Sequence, residues 1–215
     1  MPKHIAVDLG ASNGRVIVGD LTGFEIVNRF TTRNETILGE VYWDIPYLFG
    51  EIKRGLKEAF SLHGDEILSV GIDTWGVDYG LLDEHGSLVS MPYHYRDGRT
   101  DAVGPQVMKK LGMQELYART GIAFHNFNTL YQLAAMQATR PAAFKVARRY
   151  VSIPDLINYW LTGVAVNEVS HASTTQLYNP HTKTWDWETI DAMGFPRDMF
   201  GTIVPSGTVV GPLSA

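Results

Sequence analysis

Residues 5–9 read as a short apolar strand with Asp8 near its end, and residues 15–19 read as a returning strand. Between them lie five small residues, Gly10-Ala11-Ser12-Asn13-Gly14, which suit a tight turn. A third strand fits residues 24–30, so the chain opens as a β-meander. The period then changes. Ile45, Leu48, Phe49, Ile52, Leu56, Ala59 and Phe60 recur at helical spacing, with Glu51, Lys53, Arg54, Lys57 and Glu58 between them. Such a helix lays one apolar stripe on the sheet. Residues 68–73 and 77–82 read as further strands, and Asp83-Glu84-His85-Gly86 as a turn into another short one.

The middle of the chain is more helical. Residues 100–111, 114–120 and 130–140 fit helices, the last stopped before Pro141. Residues 150–153 read as a strand, after which Pro154 sits where a helix start tolerates proline and Asp155 falls in the first turn. Gly163 is the expected stop of that helix. Beyond Asn179 the chain is rich in Trp, Pro and Gly, with one short helix expected over residues 187–193. The sequence closes on Ala215 without a final strand or helix, so the expectation is a truncated domain.

With 215 residues, 45% of them hydrophobic, the chain can bury one sizeable core. Its net charge of −5 and the lack of any Lys/Arg block argue against nucleic acid and anionic membranes as partners. Cysteine is absent, which excludes disulfides, thiolate metal sites and cysteine nucleophiles. The expected class is a soluble, cytoplasmic α/β protein.

Four stretches carry groups suited to chemistry. In Asp8-Leu9-Gly10-Ala11-Ser12-Asn13-Gly14-Arg15, small side chains let backbone N–H groups approach a polyphosphate. There Asp8 suits a metal-bound water and Arg15 suits phosphate charge, though an ordinary hairpin fits the same eight residues. The Gly-x-Ser-x-Gly pattern within it is no nucleophile elbow, because a strand follows where a helix is needed. Gly71-Ile72-Asp73-Thr74-Trp75-Gly76-Val77-Asp78-Tyr79 gathers carboxylates, a hydroxyl and an indole at a strand end, the mix that binds sugars; Trp75 equally suits a core. Tyr93-His94-Tyr95-Arg96-Asp97-Gly98-Arg99 is a polar, aromatic loop in which Arg96 and Asp97 fit a surface ion pair. In His125-Asn126-Phe127-Asn128-Thr129, Asn128 or Thr129 fits a helix N-cap. The seven histidines lack zinc-site spacing, and His171 beside Ser173, Thr174 and Thr175 lacks the surroundings of a nucleophilic dyad.

In their order, these motifs resemble the FGGY family of carbohydrate kinases. The resemblance spans the chain: the Asp-x-Gly turn, Gly71 to Asp78, Tyr95-Arg96-Asp97-Gly98-Arg99-Thr100, Thr120-Gly121-Ile122, Phe127 to Gln132, then Pro154-Asp155 and Leu161-Thr162-Gly163. It implies an α/β chain of the actin-like, ribonuclease-H-like ATPase fold, a mixed sheet flanked by helices. Residues 1–215 would form the sugar-binding N-terminal domain, incomplete at its C-terminal end. The string around Trp75 and the run from Asn128 to Gln132 are most similar to the branch that phosphorylates L-rhamnulose at its 1-hydroxyl. The fuculose-phosphorylating branch, which shares Gly-Val-Asp, and a non-catalytic sugar-binding module are the alternatives.

The family likeness also implies site residues and partners. Ala11, Ser12, Asn13, Gly14 and Arg15 would lie against the phosphates of ATP, and Asp8 would help position Mg²⁺. Gly76 falls at a sugar-contact position, with Thr74, Trp75, Asp78, Tyr95 and Phe127 as pocket neighbours. The family's general-base aspartate belongs late in the first domain, within a Gly/Ser-His-Asp stretch; the chain holds no His-Asp dipeptide, so the base is expected after residue 215. The implied partners are a ketose sugar, ATP and a C-terminal nucleotide-binding domain, and the chain alone is expected to be inactive.

Overall fold

A computed structural model describes residues 1–214, which form two compact units. The first comprises residues 1–35 and 43–75; the second comprises residues 36–42 and 76 onward.

The first unit holds a four-stranded sheet. Strands β1 (Lys3–Leu9), β2 (Asn13–Asp20) and β3 (Gly23–Thr31) form the expected antiparallel meander. A hairpin of β4 (Asn34–Ile37) and β5 (Glu40–Trp43), not anticipated from the sequence and lying mostly in the second unit, precedes helix α1 (Ile45–His63) and then β6 (Ile67–Thr74). Strand β6 joins the sheet parallel to β1, giving the order β3-β2-β1-β6. Ile5, Val7 and Leu9 alternate inward on β1, and Val16 and Val18 do so on β2, as the period of two requires. Ile45, Leu48, Ile52, Leu56 and Ala59 bury the stripe of α1. Asp44 caps that helix by accepting the Tyr47 N–H.

In the second unit, strand β7 (Tyr79–Leu82) begins two residues later than the alternation suggests, because residues 76–78 turn. The strand expected after the 83–86 turn shrinks to a single bridge between Leu82 and Leu88. Helices α2 (Gly104–Leu111), α3 (Met113–Thr120), α4 (Thr129–Thr139) and α5 (Pro141–Val146) follow, then β8 (Arg149–Ser152), antiparallel to β7. Helix α6 (Ile153–Thr162) carries Pro154 in its first turn and stops at Gly163, whose left-handed φ of 76° suits glycine. After β9 (Asn167–Glu168), helix α7 (Val169–Thr174) has no apolar periodicity to announce it. The remainder comprises β10 (Tyr178–Asn179), β11 (Thr184–Trp185), α8 (Trp187–Met193) and β12 (Ile203–Val204).

Residues 129–136 of α4 are all buried, and Leu130, Tyr131 and Leu133 join Tyr150, Trp185, Ile190 and Phe195 in the core. Among the described residues, no helix is long and apolar enough to cross a membrane.

Candidate functional site

The turn after β1 belongs to the first unit. Gly10 N–H donates to the Asn13 carbonyl at 2.9 Å, and Thr32 secures the loop from β3's end: its N–H reaches Ser12 O at 3.1 Å and its hydroxyl reaches Gly10 O at 2.7 Å. Ala11, Ser12 and Asn13 are exposed. A Cβ on Gly10 would sit 3.1 Å from the Asn13 carbonyl, a contact the backbone would have to shift to relieve, so this close turn favours glycine. Gly14 differs from the expectation of a phosphate contact: it is buried in β2, and a Cβ there would strike the Phe30 ring and the Leu9 side chain. Its smallness serves the core.

Asp8 and Arg15 are register partners across β1 and β2, and they form an ion pair at 2.5 Å with both side chains about a third exposed. The Arg15 charge is thus already engaged, yet its buried Nε has no hydrogen-bond partner. Small exposed residues beside a partly exposed guanidinium fit an anion such as a phosphate. Asp8 is also the register neighbour of Asp73 on β6, which puts a second carboxylate at the same level of the sheet. No cluster of three or more metal-ligating side chains occurs among the described residues, so Mg²⁺ here would rest on one or two carboxylates with water and phosphate completing its shell.

Thr74 and Trp75 also lie in the first unit. Trp75 stacks on the fully buried Trp43, with centroids 3.9 Å apart, and the Thr74 hydroxyl donates to the Trp75 carbonyl. The indole is anchored by a partner that composition alone does not reveal.

The second unit begins with the turn Gly76-Val77-Asp78. Asp78 N–H donates to the Gly76 carbonyl at 3.0 Å, and Val77 between them has φ 69°. This is a γ-turn of the rare positive-φ kind, and a β-branched residue in it is a genuine outlier, worth about 1–3 kcal/mol of strain. Side chains from two helices hold it. Val77 N–H donates to Thr174 Oγ1 at 3.3 Å, while its carbonyl accepts from Thr129 Oγ1 at 2.7 Å and Gln132 Nε2 at 3.3 Å. The Cβ that Gly76 lacks would lie 3.3 Å from both Oγ1 and Cγ2 of Thr174. A methyl at this position would thus meet α7 closely, a constraint on residue 76 beside the room for a ligand that the motif suggests.

Asp78 is 1% exposed. Its carboxylate accepts from the Tyr95 N–H at 3.1 Å and from Gln132 Nε2 at 2.8 Å, so the group expected in the pocket instead ties the 93–99 loop to α4. Gln132 Oε1 in turn accepts from Arg99 at 2.6 Å. The expected surface pair of Arg96 with Asp97 gives way to a buried one: Asp97 pairs with Arg99 and accepts the Val41 N–H, while Arg96 lies over the Tyr95 ring. Asn128 stands at the N-cap of α4, but its side chain bonds Ala123 O and Gln176 Oε1 and caps nothing. The Ser173 and Thr174 hydroxyls donate to backbone carbonyls.

An aromatic face stands beside this turn. Tyr95 stacks on His94 with centroids 4.5 Å apart and meets Phe127 edge-on at 6.0 Å, and Phe127 stacks on His125 at 4.9 Å. His94 Nδ1 accepts the Arg96 N–H, which puts the neutral ring's proton on Nε2. Burial, then the Arg96 charge, pulls its pKa down to about 4. Tyr95 and Phe127 thus come together with Gly76 and Asp78 around one loop system. Sequence reasoning missed Thr129, Gln132 and Thr174 as its supports. Thr129 and Gln132 lie three residues apart, the spacing of one helix face, whereas nothing local marks Thr174.

Comparison with known proteins gives three findings. The model for the FGGY family of carbohydrate kinases, N-terminal domain, matches residues 4–215. Curated relatives include a rhamnulokinase of Mannheimia succiniciproducens, 44% identical over 96% of this chain and 44% of its own length. A rhamnulokinase of Halalkalibacterium halodurans is 45% identical over 94% of this chain and likewise 44% of its own. This chain therefore spans less than half the length of the curated relatives it matches. Among solved structures, a gluconate kinase from Lactobacillus acidophilus superposes with a TM-score of 0.88 at 19% identity, over 99% of this chain and 44% of that one. A Plasmodium falciparum glycerol kinase with ADP gives 0.86 at 16% identity, over 100% of this chain and 45% of that one.

Proposed function

This chain belongs to the FGGY family of carbohydrate kinases and has their actin-like ATPase fold, and from that premise we propose that it is the sugar-binding N-terminal part of an ATP-dependent kinase acting on the 1-hydroxyl of L-rhamnulose. The observation carrying the sugar is the set of relatives named rhamnulokinase, at 39–45% identity over nearly all of this chain.

On this reading the loop system of Gly76, Tyr95 and Phe127 receives the sugar, with aromatic faces against its C–H surface. Thr74 and Trp75 flank it in sequence, and Asp78 acts through Tyr95 and Gln132 without touching the ligand. Ala11, Ser12 and Asn13 present backbone to the ATP phosphates, and the partly exposed Arg15 guanidinium adds positive charge at the same turn. Asp8 is the carboxylate that would hold Mg²⁺, which when bound offsets charge on the phosphates. The base that takes the sugar's hydroxyl proton is expected late in this same N-terminal domain, after residue 215, and the adenine pocket in a C-terminal domain. A base contributes about 10²–10⁴ in rate, and positioning of both substrates contributes more.

The test is a coupled phosphorylation assay with L-rhamnulose, L-fuculose and D-xylulose, run on the full-length enzyme and on this chain alone. The highest kcat/KM is expected with L-rhamnulose in the full-length enzyme, and no sugar-dependent turnover in the isolated chain. Preference for another ketose would overturn the substrate, and turnover by the isolated chain would overturn the division of labour.

A further inference from the structure

Four non-glycine residues among those described adopt positive φ, and Val77 alone of these is β-branched. The Asp78 N–H to Gly76 carbonyl bond closes the turn locally, and both amide groups of Val77 are claimed by side chains far along the chain. Of the three supports, Thr174 has a distinct geometry. Its hydroxyl proton is spent on the His171 carbonyl at 2.9 Å, so Oγ1 meets the Val77 N–H with a lone pair. The same Oγ1 and Cγ2 crowd the missing Cβ of Gly76. One side chain therefore crowds position 76 and holds the strained peptide at 77.

Helix α7, which carries Thr174, is itself fixed. Glu168 caps it by accepting the N–H groups of Ser170 and His171 at 2.8 and 3.1 Å, and its other oxygen accepts from Ser206. The Glu168 N–H leads on to the buried Asp155 carboxylate at 3.2 Å. Asp155 receives the Ser152 hydroxyl as well, at 2.5 Å. A chain of hydrogen bonds thus runs from α6 to the turn.

We propose that Thr174 is a positioning residue for sugar recognition: through the Val77 peptide it holds the Gly76–Val77 backbone in the shape that faces the sugar. This rests on the reading of the site as a ketose kinase's. Without the tether, the turn relaxes toward negative φ, and the sugar must restore the strained form on binding.

The experiment uses the full-length enzyme with Thr174→Val, which keeps the side chain's shape and removes the acceptor, and Thr174→Ser, which keeps the acceptor. Thr174→Val is expected to raise the KM for L-rhamnulose about tenfold, the equivalent of one hydrogen bond. Its kcat and its KM for ATP stay close to wild type, and Thr174→Ser restores sugar KM. Amide exchange at Val77 reads the tether without any substrate: it should accelerate about tenfold in the valine variant and not in the serine variant. Unchanged sugar KM and exchange in Thr174→Val overturns the inference, as does a loss that serine fails to rescue or that falls equally on ATP. A wild-type enzyme that uses no ketose overturns the functional reading instead, and the exchange measurement still decides whether Thr174 holds the turn.

Discussion

The turns at residues 10–13 and 76–78 both follow a strand of one sheet, and both depend on glycine, yet they are held in opposite ways. The first keeps its side chains exposed, has no residue at positive φ, and is pinned by Thr32 and one internal hydrogen bond. The second forces Val77 to φ 69° and needs Thr129, Gln132 and Thr174 to keep it there. A surface that admits phosphate oxygens requires backbone unobstructed by side chains. A surface that tells one sugar from another requires a fixed shape, and a strained peptide persists only when its surroundings over-determine it. The difference between the turns matches the two tasks proposed for them.

The strongest way to break that contrast is to delete the acid nearest each turn. Asp78→Ala removes a buried carboxylate that accepts from the Tyr95 N–H and Gln132 Nε2, at a cost of about 3 kcal/mol. Asp8→Ala removes one half of a partly exposed ion pair, worth about 1 kcal/mol or less. Urea unfolding of the two variants measures both. Equal losses would mean that the second turn is no more deeply anchored than the first.

Titration sharpens the contrast, because buried ionisable groups support the second turn from both sides. Burial raises the Asp155 pKa to about 6, so the folded state holds more protons than the unfolded chain between about pH 4 and 6. Asp155 therefore contributes stability that is lost as pH rises through this window. His94, lowered to about 4 by burial and then by Arg96, works the other way: its contribution is present above the unfolded value near 6.5 and is lost as pH falls toward 4. Each amounts to at most about 3 kcal/mol, and in the wild type they offset. Asp155→Asn should make stability climb more steeply from pH 4 to 6, and His94→Asn should make it fall. Identical slopes in both variants would remove the two groups from the account.

On the phosphate side, Gly10→Val should raise the KM for ATP of the full-length enzyme about tenfold, since a branched Cβ 3.1 Å from the Asn13 carbonyl must open the turn. Circular dichroism checks the fold. A folded variant with ordinary ATP dependence would make this turn a hairpin and nothing more.

How much of this was legible in the sequence follows from where the determinants sit. The β1–β2–β3 meander, α1 and α8 are written in local periodicity, and the structure gives α8 over the expected residues. The short helix α7 and the β4–β5 hairpin carry no such pattern and depend on distant partners: Glu168 and Asp155 for one, Tyr93, His94 and Arg140 for the other. The site shows the same division. Its motifs mark which residues gather, but not which way they face. Asp78 points into protein and Gly14 faces Phe30 because of residues 16 or more positions away.

The smallest effect is the most discriminating. Gly76→Ala places a methyl 3.3 Å from the Cγ2 and Oγ1 of Thr174, tight enough to cost about 1 kcal/mol. Thr174→Ser deletes the crowding Cγ2 and keeps the acceptor for the Val77 N–H, so the double variant should recover much of that loss, with a coupling of about 1 kcal/mol. The parallel pair at the other turn is Gly10→Ala with Thr32→Ser. There the added methyl meets a backbone carbonyl, which no change at Thr32 can move aside, so the two effects should add within about 0.5 kcal/mol. Urea unfolding of the seven proteins in the two cycles, which share the wild type, decides it. Coupling at Gly76 and additivity at Gly10 would mean that a side chain shapes one turn and the backbone shapes the other. Additivity in both would mean that Thr174 yields without cost, and the close approach of α7 would no longer explain the glycine.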